Sequence, residues 1–302
     1  MERNLRLDYF RLLLSILVIT IHIQPLLSTN SLVGWLISNG IARIAVPFFF
    51  IISGYYINLR IDNKEAIKKY LLHILFVYCV WTIIYLPIYY QTTDLRLLFT
   101  IILTGYYHLW FLPALIVGML MLIIIRTFIK NDNFILIIGF VLFLAGYLIE
   151  YNQFLSYRFF CNGIFLGFPF ISLGYYIKRK SVGESAKNIY LYILILVCTS
   201  TLLMESYFSY KTELFQNFFL SLYILCPVLF ICILKNSSNN ISFKLDISKL
   251  SAGIYYVHIW VIEIFLSCPA TNNIYKLPLI TIVSILLSIF IVIINKRIKI
   301  FL

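Results

Sequence analysis

An arginine and a histidine lie eleven residues apart in the first apolar segment, LDYFRLLLSILVITIHIQPLL. Eleven helical steps of about 100° come to about three full turns, so Arg11 and His22 share one helix face, roughly 16 Å apart along the axis. Ionisable side chains inside a bilayer are costly, and they usually face a protein interior or a water-filled cavity. The spacing therefore predicts that this helix lines a functional site.

Both residues also have a purely structural interpretation. His22 would be an ordinary core histidine if backbone or hydroxyl groups satisfied its ring nitrogens. Its functional interpretation is a general base, because a neutral imidazole can take the proton of a nucleophilic hydroxyl near neutral pH. Arg11 would be structural if its side chain extended to the cytoplasmic interface, with Asp8 three residues earlier as its counter-charge.

Arg43 lies several residues inside the second apolar segment, at a depth comparable to that of His22. There it must meet an acid, carbonyl groups or an anionic ligand. Glu263, in GIYYVHIWVIEIF, is the one carboxylate that we place deep within an apolar run, and it is a candidate partner for Arg43. His258, five residues before Glu263, lies on a somewhat different helix face, so the two are not expected to form a same-face pair.

His108 and Trp110, in YYHLWFLPALI, stand at the predicted outer end of the fourth apolar segment. They are site candidates, although residues of the membrane-interface belt, the more common role of Trp and Tyr, would occupy the same positions. His73 is interpreted as structural. The six cysteines lie mostly inside apolar runs without metal-ligand spacing, so we expect small core residues and no metal site.

The elements that must position these side chains are membrane-spanning helices. With 62% hydrophobic and 12% charged residues and a mean hydropathy of +0.95, the chain has too few polar groups to cover the surface of a soluble domain. The sequence therefore predicts an all-α, polytopic transmembrane helical bundle, a single domain over residues 1–302 surrounded by membrane lipids. Ten apolar stretches are long enough to span: 8–27, 36–58, 70–90, 106–126, 133–150, 159–177, 188–204, 214–234, 251–268 and 277–295.

Prolines interrupt several of these spans, and broken helices at membrane depth tend to surround cavities. A kink is expected near Pro47 in the second span, and Pro113 and Pro169 interrupt the fourth and sixth. In the second span, the pair Ser53-Gly54 allows close approach of a neighbouring helix. The stretch LLFTIILT from Leu97 is too short to cross, which favours a re-entrant or interfacial piece.

The net charge of +12 is distributed as an orientation signal. When the N-terminus is placed inside, 18 of the 24 basic residues fall on the cytoplasmic side, which predicts that both termini are cytoplasmic. This distribution argues against nucleic acid as a partner. The first segment has no small-residue cleavage pattern, so we expect it to be retained as a helix rather than removed as a signal peptide.

Five segments follow one another in a recognisable order: LDYFRLLLSILVITIH, RIAVPFFFIISGYYI, HLWFLPALI, YRFFCNGIFLGFPFISLGYYI and SAGIYYVHIW. Along nearly its whole length the chain thereby resembles the acyltransferase-3 family of integral membrane acyltransferases. The resemblance extends to the membrane domain of vancomycin-resistance serine racemases and to small stand-alone members. The Arg-x10-His spacing is the hallmark of the family.

The resemblance implies transfer of an acyl group, usually acetyl, from cytoplasmic acyl-CoA to a hydroxyl of a cell-envelope glycan or its lipid-linked precursor, at the bacterial cytoplasmic membrane. It implies that His22 is the catalytic histidine, Arg11 its paired cation and Arg43 the arginine ahead of the FFF-x-x-SG segment. Acyl-CoA is then a donor substrate, and no permanently bound cofactor is expected. Binding candidates of lower rank are His108, Trp110, Arg158 and His258 by this carry-over, and Asp8 and Glu263 as counter-charges to the arginines.

Some alternatives remain open at this point. His22 either deprotonates the acceptor hydroxyl or carries the acyl group transiently. Some family members use an SGNH-type hydrolase domain after the last span to complete transfer outside; we expect neither that domain nor a racemase domain here, which leaves the acceptor open. A rival hypothesis is a permease for an amino acid such as serine, because buried charges and broken helices also line transport paths. A structural or assembly subunit would leave Arg11, His22 and Arg43 without a role.

Overall fold

The computed structural model describes residues 4–23, 26, 31–90, 95–153, 155–183, 186–235, 246–266 and 273–302. Every regular element in these ranges is helical. The α-helices are α1 (Leu5–His22), α2 (Leu32–Ser38), α3 (Ala45–Ile57), α4 (Lys64–Tyr89), α5 (Leu95–Thr104), α6 (Phe111–Phe128), α7 (Asp132–Tyr151), α8 (Tyr157–Phe160), α9 (Phe168–Lys180), α10 (Asn188–Thr212), α11 (Leu220–Lys235), α12 (Ile247–Leu266) and α13 (Asn273–Ile298). Short 3₁₀ helices at Ile41–Ile44 and Tyr107–Trp110 and a π-helical stretch at Gly163–Gly167 precede α3, α6 and α9.

Each of the ten predicted spans lies mainly on helical residues. Within the described ranges, six helical stretches are long and apolar enough to cross a membrane: Leu32–Ile57, Lys64–Tyr89, Tyr107–Phe128, Asp132–Tyr151, Asn188–Thr212 and Lys276–Ile298. Ten crossings and cytoplasmic termini therefore stay predictions. The ten-residue α5 confirms that the segment from Leu97 is too short to cross. The ends of the first and ninth predicted spans lie outside the described residues, as does Cys268.

The three prolines follow the helix interruptions instead of causing them. Pro47, Pro113 and Pro169 lie in the first turns of α3, α6 and α9, just after the 3₁₀ or π-helical segments. Proline is well tolerated there, because a backbone N–H in the first turn would have no partner within the helix. The predicted kink at Pro47 is thus wrong in position. The α-helix breaks at 39–44, and Pro47 belongs to the new helix.

The backbone forms two compact units, each assembled from segments that are distant in sequence. Unit 1 comprises Met1–Ala45, Leu196–Phe215 and Ile233–Leu302, and so contains α1, α2, the second part of α10, α12 and α13. Unit 2 comprises Val46–Ile195 and Gln216–Cys232, and contains nearly all of α3, then α4 to α9, the start of α10 and most of α11.

In unit 1, α12 packs against both α1 and α13. The hydroxyl of Ser288 on α13 donates to the carbonyl of Leu250 over 2.7 Å, next to Gly253 of α12. Elsewhere in unit 1, Trp35 of α2 stacks on Phe215 with ring centroids 4.8 Å apart. The packing of α1 against α12 holds the two helices that carry the candidate histidines in one packed body.

In unit 2, α9 packs against α6 and α7 and crosses α3 at two glycines. A Cβ atom on Gly54 would lie 2.0 Å from the carbonyl oxygen of Ile171, and one on Gly174 would lie 2.0 Å from the carbonyl oxygen of Ile51. The two backbones therefore touch. The close approach predicted at Gly54 is confirmed.

The cysteines agree only in part with the sequence analysis. Cys161, Cys198 and Cys226 are buried, as expected of small core residues. Cys79 on α4 is exposed, so the core interpretation is wrong for this residue. Within the part of the chain that the structure describes, no group of His, Cys, Asp and Glu side chains is arranged to hold a metal ion.

Candidate active site

Helices α1 and α12 lie side by side in unit 1 and run in the same direction. Three contacts advance together along both helices: Arg11 with Ser248, Ser15 with Ser251, and His22 with His258. The spacings of four and seven residues on α1, and of three and seven on α12, each keep their side chains on one helix face. We call these six residues the polar seam. The ten-span prediction requires this direction, because all odd-numbered spans of one chain cross in the same sense.

Arg11 is directed at α12 and not simply toward the end of its own helix. Its Nη1 donates to the hydroxyl of Ser248 over 2.8 Å and lies 3.9 Å from a carboxylate oxygen of Asp8. Asp8 is buried, with 7% of its surface exposed. The structure thus supports Asp8 as a counter-charge, but the contact with Ser248 is one that an arginine merely extending to the interface would not need.

The backbone of Arg11 also takes part in the helix contact. Its carbonyl oxygen accepts from the hydroxyl of Ser15 over 2.7 Å, within α1, and from the hydroxyl of Ser251 over 3.0 Å, from α12. The two serine hydroxyls also contact each other; because each has one hydrogen, the hydroxyl that donates to the other serine does not donate to the carbonyl at the same time. This cluster fixes the register of α1 against α12.

Seven residues beyond Ser15 and Ser251 on their respective helices, the rings of His22 and His258 meet. Their centroids are 5.3 Å apart and their planes are inclined at 36°. His22 is the last residue of α1 and is partly exposed, whereas His258 is fully buried inside α12. The ring of His258 is therefore held by protein.

Arg43 belongs to the same unit, in the 3₁₀ segment Ile41–Ile44. Its Nη2 donates to the side-chain oxygen of Asn39 over 2.7 Å, and Asn39 is fully buried. Unit 1 therefore contains Arg11, His22, His258 and Arg43, three of which the sequence analysis ranked as the core of the site.

The pairing of Glu263 with Arg43 stays a prediction. Glu263 lies near the end of α12 with its side chain exposed, because the helix turns it away from the packed face. The buried carboxylates in the described ranges are Asp8 and Glu150. Glu150, at the end of α7, accepts from the backbone N–H groups of Asn217 and Phe218 over 2.8–3.0 Å, which ties the start of α11 to α7 in unit 2.

Three further candidates belong to unit 2. The ring of His108 is 3% exposed and meets Tyr85 edge-on at a centroid distance of 5.1 Å, so its interpretation as an interface-belt residue is wrong. Trp110 is partly exposed and meets Tyr157 edge-on at 6.1 Å, which is compatible with the belt. Arg158 is exposed on the single turn α8.

The sequence analysis missed the hydroxyl and amide groups that hold the ionisable ones: Asn39, Ser15, Ser248 and Ser251. A signal for them was present. Ser15 follows Arg11 by four residues and Asn39 precedes Arg43 by four, which places each pair on one helix face. On α12, the three-and-seven spacing of Ser248, Ser251 and His258 marks a polar face in an otherwise apolar run.

The chain is similar in sequence to known proteins. Over 296 residues the chain is 26% identical to an amino-acid racemase of Enterococcus faecalis, covering 85% of this chain and 41% of the relative. Over 257 residues it is 29% identical to a serine/alanine racemase of Enterococcus gallinarum, covering 75% of this chain and 36% of the relative. The chain thus spans less than half the length of these curated relatives. No solved structure matches it.

A family model described as an acyltransferase domain matches residues 4–294, which is nearly the whole chain and includes every residue of the polar seam. Together with the apolar helices, this match makes the protein a multi-pass membrane protein. The chain belongs to the acyltransferase-3 family.

Proposed function

We propose that this protein transfers an acyl group, with acetyl as the first donor group to test, from cytoplasmic acyl-CoA to a hydroxyl of a cell-envelope glycan or its lipid-linked precursor. The observation that carries the proposal is the polar seam. Arg11 and His22 both face α12, His22 meets a second histidine, and Arg43 belongs to the same unit. Family membership supplies the reaction class.

In this proposal Arg11 grips phosphate oxygens of CoA, because its planar guanidinium offers paired donors. His22 acts as general base on the acceptor hydroxyl, or carries the acyl group in passing. Arg43 stabilises the negative charge that develops on the thioester carbonyl oxygen during attack. The ester C–O bond forms, the thioester C–S bond breaks, and the hydroxyl proton leaves with CoA as a thiol.

The orientation of the chain is part of the proposal, because acyl-CoA is a cytoplasmic donor. We propose a bacterial cytoplasmic membrane, ten crossings and both termini inside, supported by the distribution of basic residues. Reporter domains fused after Lys69, Lys130 or Lys187 should be cytoplasmic, and those near Asn152 or Lys211 should be outside. Two or more reversed reporters would contradict this topology.

The decisive experiment follows the CoA thiol. Purified protein in lipid nanodiscs is incubated with labelled acetyl-CoA and envelope extract, and free thiol and labelled acceptor are both measured. His22→Ala should lower transfer by at least about 10²-fold, because general acid–base catalysis alone contributes that much. The matched control is His73→Ala, since His73 is exposed on α4 and should be dispensable.

The same preparation tests the rival hypothesis of an amino-acid permease. The relatives named for amino-acid and serine/alanine racemisation share only part of their length with this chain, so their names do not decide the matter. Uptake of serine or alanine into proteoliposomes, with no thiol released from acetyl-CoA, would replace the acyltransferase by a permease. Arg11, His22 and Arg43 would then belong to a transport path.

A further inference from the structure

A group of basic side chains lies at the end of unit 2 where α6 stops and α7 begins. Both helices are long and apolar enough to cross a membrane, and only residues 129–131 join them, so this end is expected at a membrane surface. The last turn of α9 and the segment that follows α3 add further cations. The six residues, which we call the basic end, are Arg60, Arg126, Lys130, Lys178, Arg179 and Lys180.

Side-chain contacts join these chain segments in one place. Arg126 donates to Asp62, which follows α3, over 2.9 Å, and its guanidinium carbon lies 5.8 Å from the ring centroid of Tyr175 on α9. The hydroxyl of Tyr175 donates to Asp132 at the start of α7 over 3.2 Å, and Lys180 lies 3.3 Å from the same carboxylate. The basic end is therefore assembled by tertiary packing from segments that are distant in sequence.

The two carboxylates in these contacts neutralise only two of the six cations. Among the described residues, the other four form no ion pair with a carboxylate: Arg60, Lys130, Lys178 and Arg179. The ammonium group of Lys178 lies 5.2 Å from the ring centroid of Tyr55, and Arg179 is exposed. Like charges that are brought close repel one another, and an anion bound among them removes that repulsion. The basic end is thus suited to a negatively charged ligand.

Large apolar side chains next to the basic end are exposed. Phe128, the last residue of α6, is 81% exposed, Leu59 is 52% exposed, and Phe134 in the first turn of α7 is 50% exposed. In a membrane such side chains contact acyl chains. A phospholipid carries a phosphate group beside its acyl chains, which matches cations beside apolar side chains. Inorganic phosphate, or the nucleotide part of CoA, would make no use of these apolar groups.

We propose that the basic end binds the phosphate group of an anionic phospholipid, whose acyl chains lie along the exposed apolar side chains of α6 and α7. Clusters of about four to eight basic residues beside spanning helices attract such headgroups. Lys178 and Arg179, which form no ion pair with a carboxylate in the described ranges, contact the phosphate. The site belongs to unit 2 and does not depend on the proposed acyl transfer, whose residues Arg11, His22 and Arg43 belong to unit 1.

The chain offers a matched pair of double variants. Lys178→Gln/Arg179→Gln, the α9 variant, removes an adjacent Lys-Arg pair from the last turn of α9. Lys296→Gln/Arg297→Gln, the α13 variant, removes the same pair from the last turn of α13 in unit 1, where both side chains are exposed. Both variants lose two charges at a helix C-terminus, so net charge and the interaction with the helix dipole change alike. A difference between them therefore reports on the basic end.

Lipid binding is measured on purified protein in a neutral detergent. Phosphatidylglycerol is titrated in, with zwitterionic phosphatidylcholine as the reference, and bound lipid is quantified by native mass spectrometry. The wild type and the α13 variant should bind phosphatidylglycerol equally, and more tightly than phosphatidylcholine. The α9 variant should bind phosphatidylglycerol about 25-fold more weakly, because each basic residue near the surface contributes about fivefold. Its binding of phosphatidylcholine should be unchanged.

Three results of this titration would overturn the proposal. Equal weakening in the two double variants would mean that binding follows net charge and not the basic end. Unchanged affinity in the α9 variant would remove its two cations from the site. Equal binding of the two lipids by the wild type would show that the phosphate charge is not recognised.

A soluble source of phosphate is tested by titrating CoA or inorganic phosphate in place of lipid, with the melting temperature as the readout. Any stabilisation by CoA should be the same in the wild type and in the α9 variant. If CoA or phosphate stabilises the wild type but not the α9 variant, while phosphatidylglycerol acts on both alike, the basic end binds a soluble anion and the lipid proposal fails.

The melting temperature in phosphatidylcholine shows beforehand whether the α9 variant folds. If it does not, Lys130→Gln takes its place, with Lys296→Gln as the control. Lys130 is exposed, and its ammonium group donates to the carbonyl oxygen of Arg126 over 3.4 Å. Its replacement should weaken phosphatidylglycerol binding about fivefold and leave phosphatidylcholine binding unchanged. Equal affinities in Lys130→Gln and Lys296→Gln would overturn the proposal.

Discussion

Two pairs of helices in this protein pack against each other through different chemical groups. In unit 2, α3 and α9 touch backbone to backbone at Gly54 and Gly174, with no side chain between them. In unit 1, α1 and α12 meet through hydroxyl groups, an arginine and two histidines. Neither helix of the second pair is among the six that are long and apolar enough to be recognised as spans.

The glycine crossing shows that this chain can join apolar helices without polar groups. In membrane proteins a single interhelical hydrogen bond stabilises by about 0.6 kcal/mol on average. A charged side chain at the centre of a spanning helix costs about 2.5–3.5 kcal/mol. Hydrogen bonds of this size are therefore a weak reason to keep an arginine and two histidines in a helix contact. The polar seam is better explained by chemistry than by packing.

The largest expected effect is the loss of stability when a glycine at the crossing of α3 and α9 is replaced. In Gly174→Ala the new Cβ would lie 2.0 Å from the carbonyl oxygen of Ile51 and 2.9 Å from the backbone nitrogen of Tyr55, and backbone atoms cannot rotate away. We expect a loss of more than about 3 kcal/mol of stability, beyond the usual range for overpacking. The measurements are the melting temperature in detergent and the yield of monodisperse protein.

The matched control is Gly253→Ala in unit 1. There the new Cβ would lie 2.2 Å from the hydroxyl oxygen of Ser288, a side-chain atom that can rotate at the expense of one hydrogen bond. Its melting temperature should fall much less than that of Gly174→Ala. Equal falls would mean that both units depend on backbone contact, and the contrast between them would be lost.

The helices themselves could be predicted from sequence, because long apolar runs leave few other structures in a membrane. The break in the second span could not be placed, since its position depends on the segment 39–44 and not on Pro47, the residue with an obvious signal. The exposure of Glu263 could not be predicted for a related reason. Hydropathy locates a residue along a span, but its exposure depends on how the helix is rotated against its neighbours.

In the candidate site, the face shared by Arg11 and His22 followed from helical geometry alone. Their partners on α12 did not, because Ser248 and His258 lie more than 200 residues further along the chain and no local rule pairs such distant segments. The spacing on α12 marked a polar face without showing which helix would cover it. Only the packed structure shows that α1 covers the polar face of α12.

The second-largest effect is expected for Arg11. It tests whether the polar seam serves a function, in contrast to the glycine crossing. Arg11→Lys keeps the positive charge but loses the planar donors that hold Ser248 and would grip phosphate. We expect kcat/KM for acetyl-CoA to fall about tenfold, which corresponds to about 1.4 kcal/mol. The melting temperature without ligand should stay close to that of the wild type.

Arg6→Lys is the control for that measurement, since Arg6 lies exposed on the same helix and should tolerate the change. CoA should raise the melting temperature of the wild type and of Arg6→Lys, because a ligand that binds only the folded state stabilises it. The rise should be smaller for Arg11→Lys. If CoA raises the melting temperature of Arg11→Lys as much as that of the wild type, Arg11 does not contribute to binding of the acyl donor.

The smallest effect is expected for the serines of the polar seam. Replacing them measures how much the polar contact between α1 and α12 contributes to stability. Ser15→Ala and Ser251→Ala each remove a hydroxyl that donates to the Arg11 carbonyl and contacts the other serine. Each should lower stability by about 0.6 kcal/mol. The double variant should lose less than the sum, because replacing both partners by apolar groups leaves no hydroxyl in the contact without its serine partner. Thermal unfolding of the four proteins gives this coupling. If either single variant is as unstable as Gly174→Ala, the seam holds the fold as the glycine crossing does, and its ionisable residues no longer require a functional explanation.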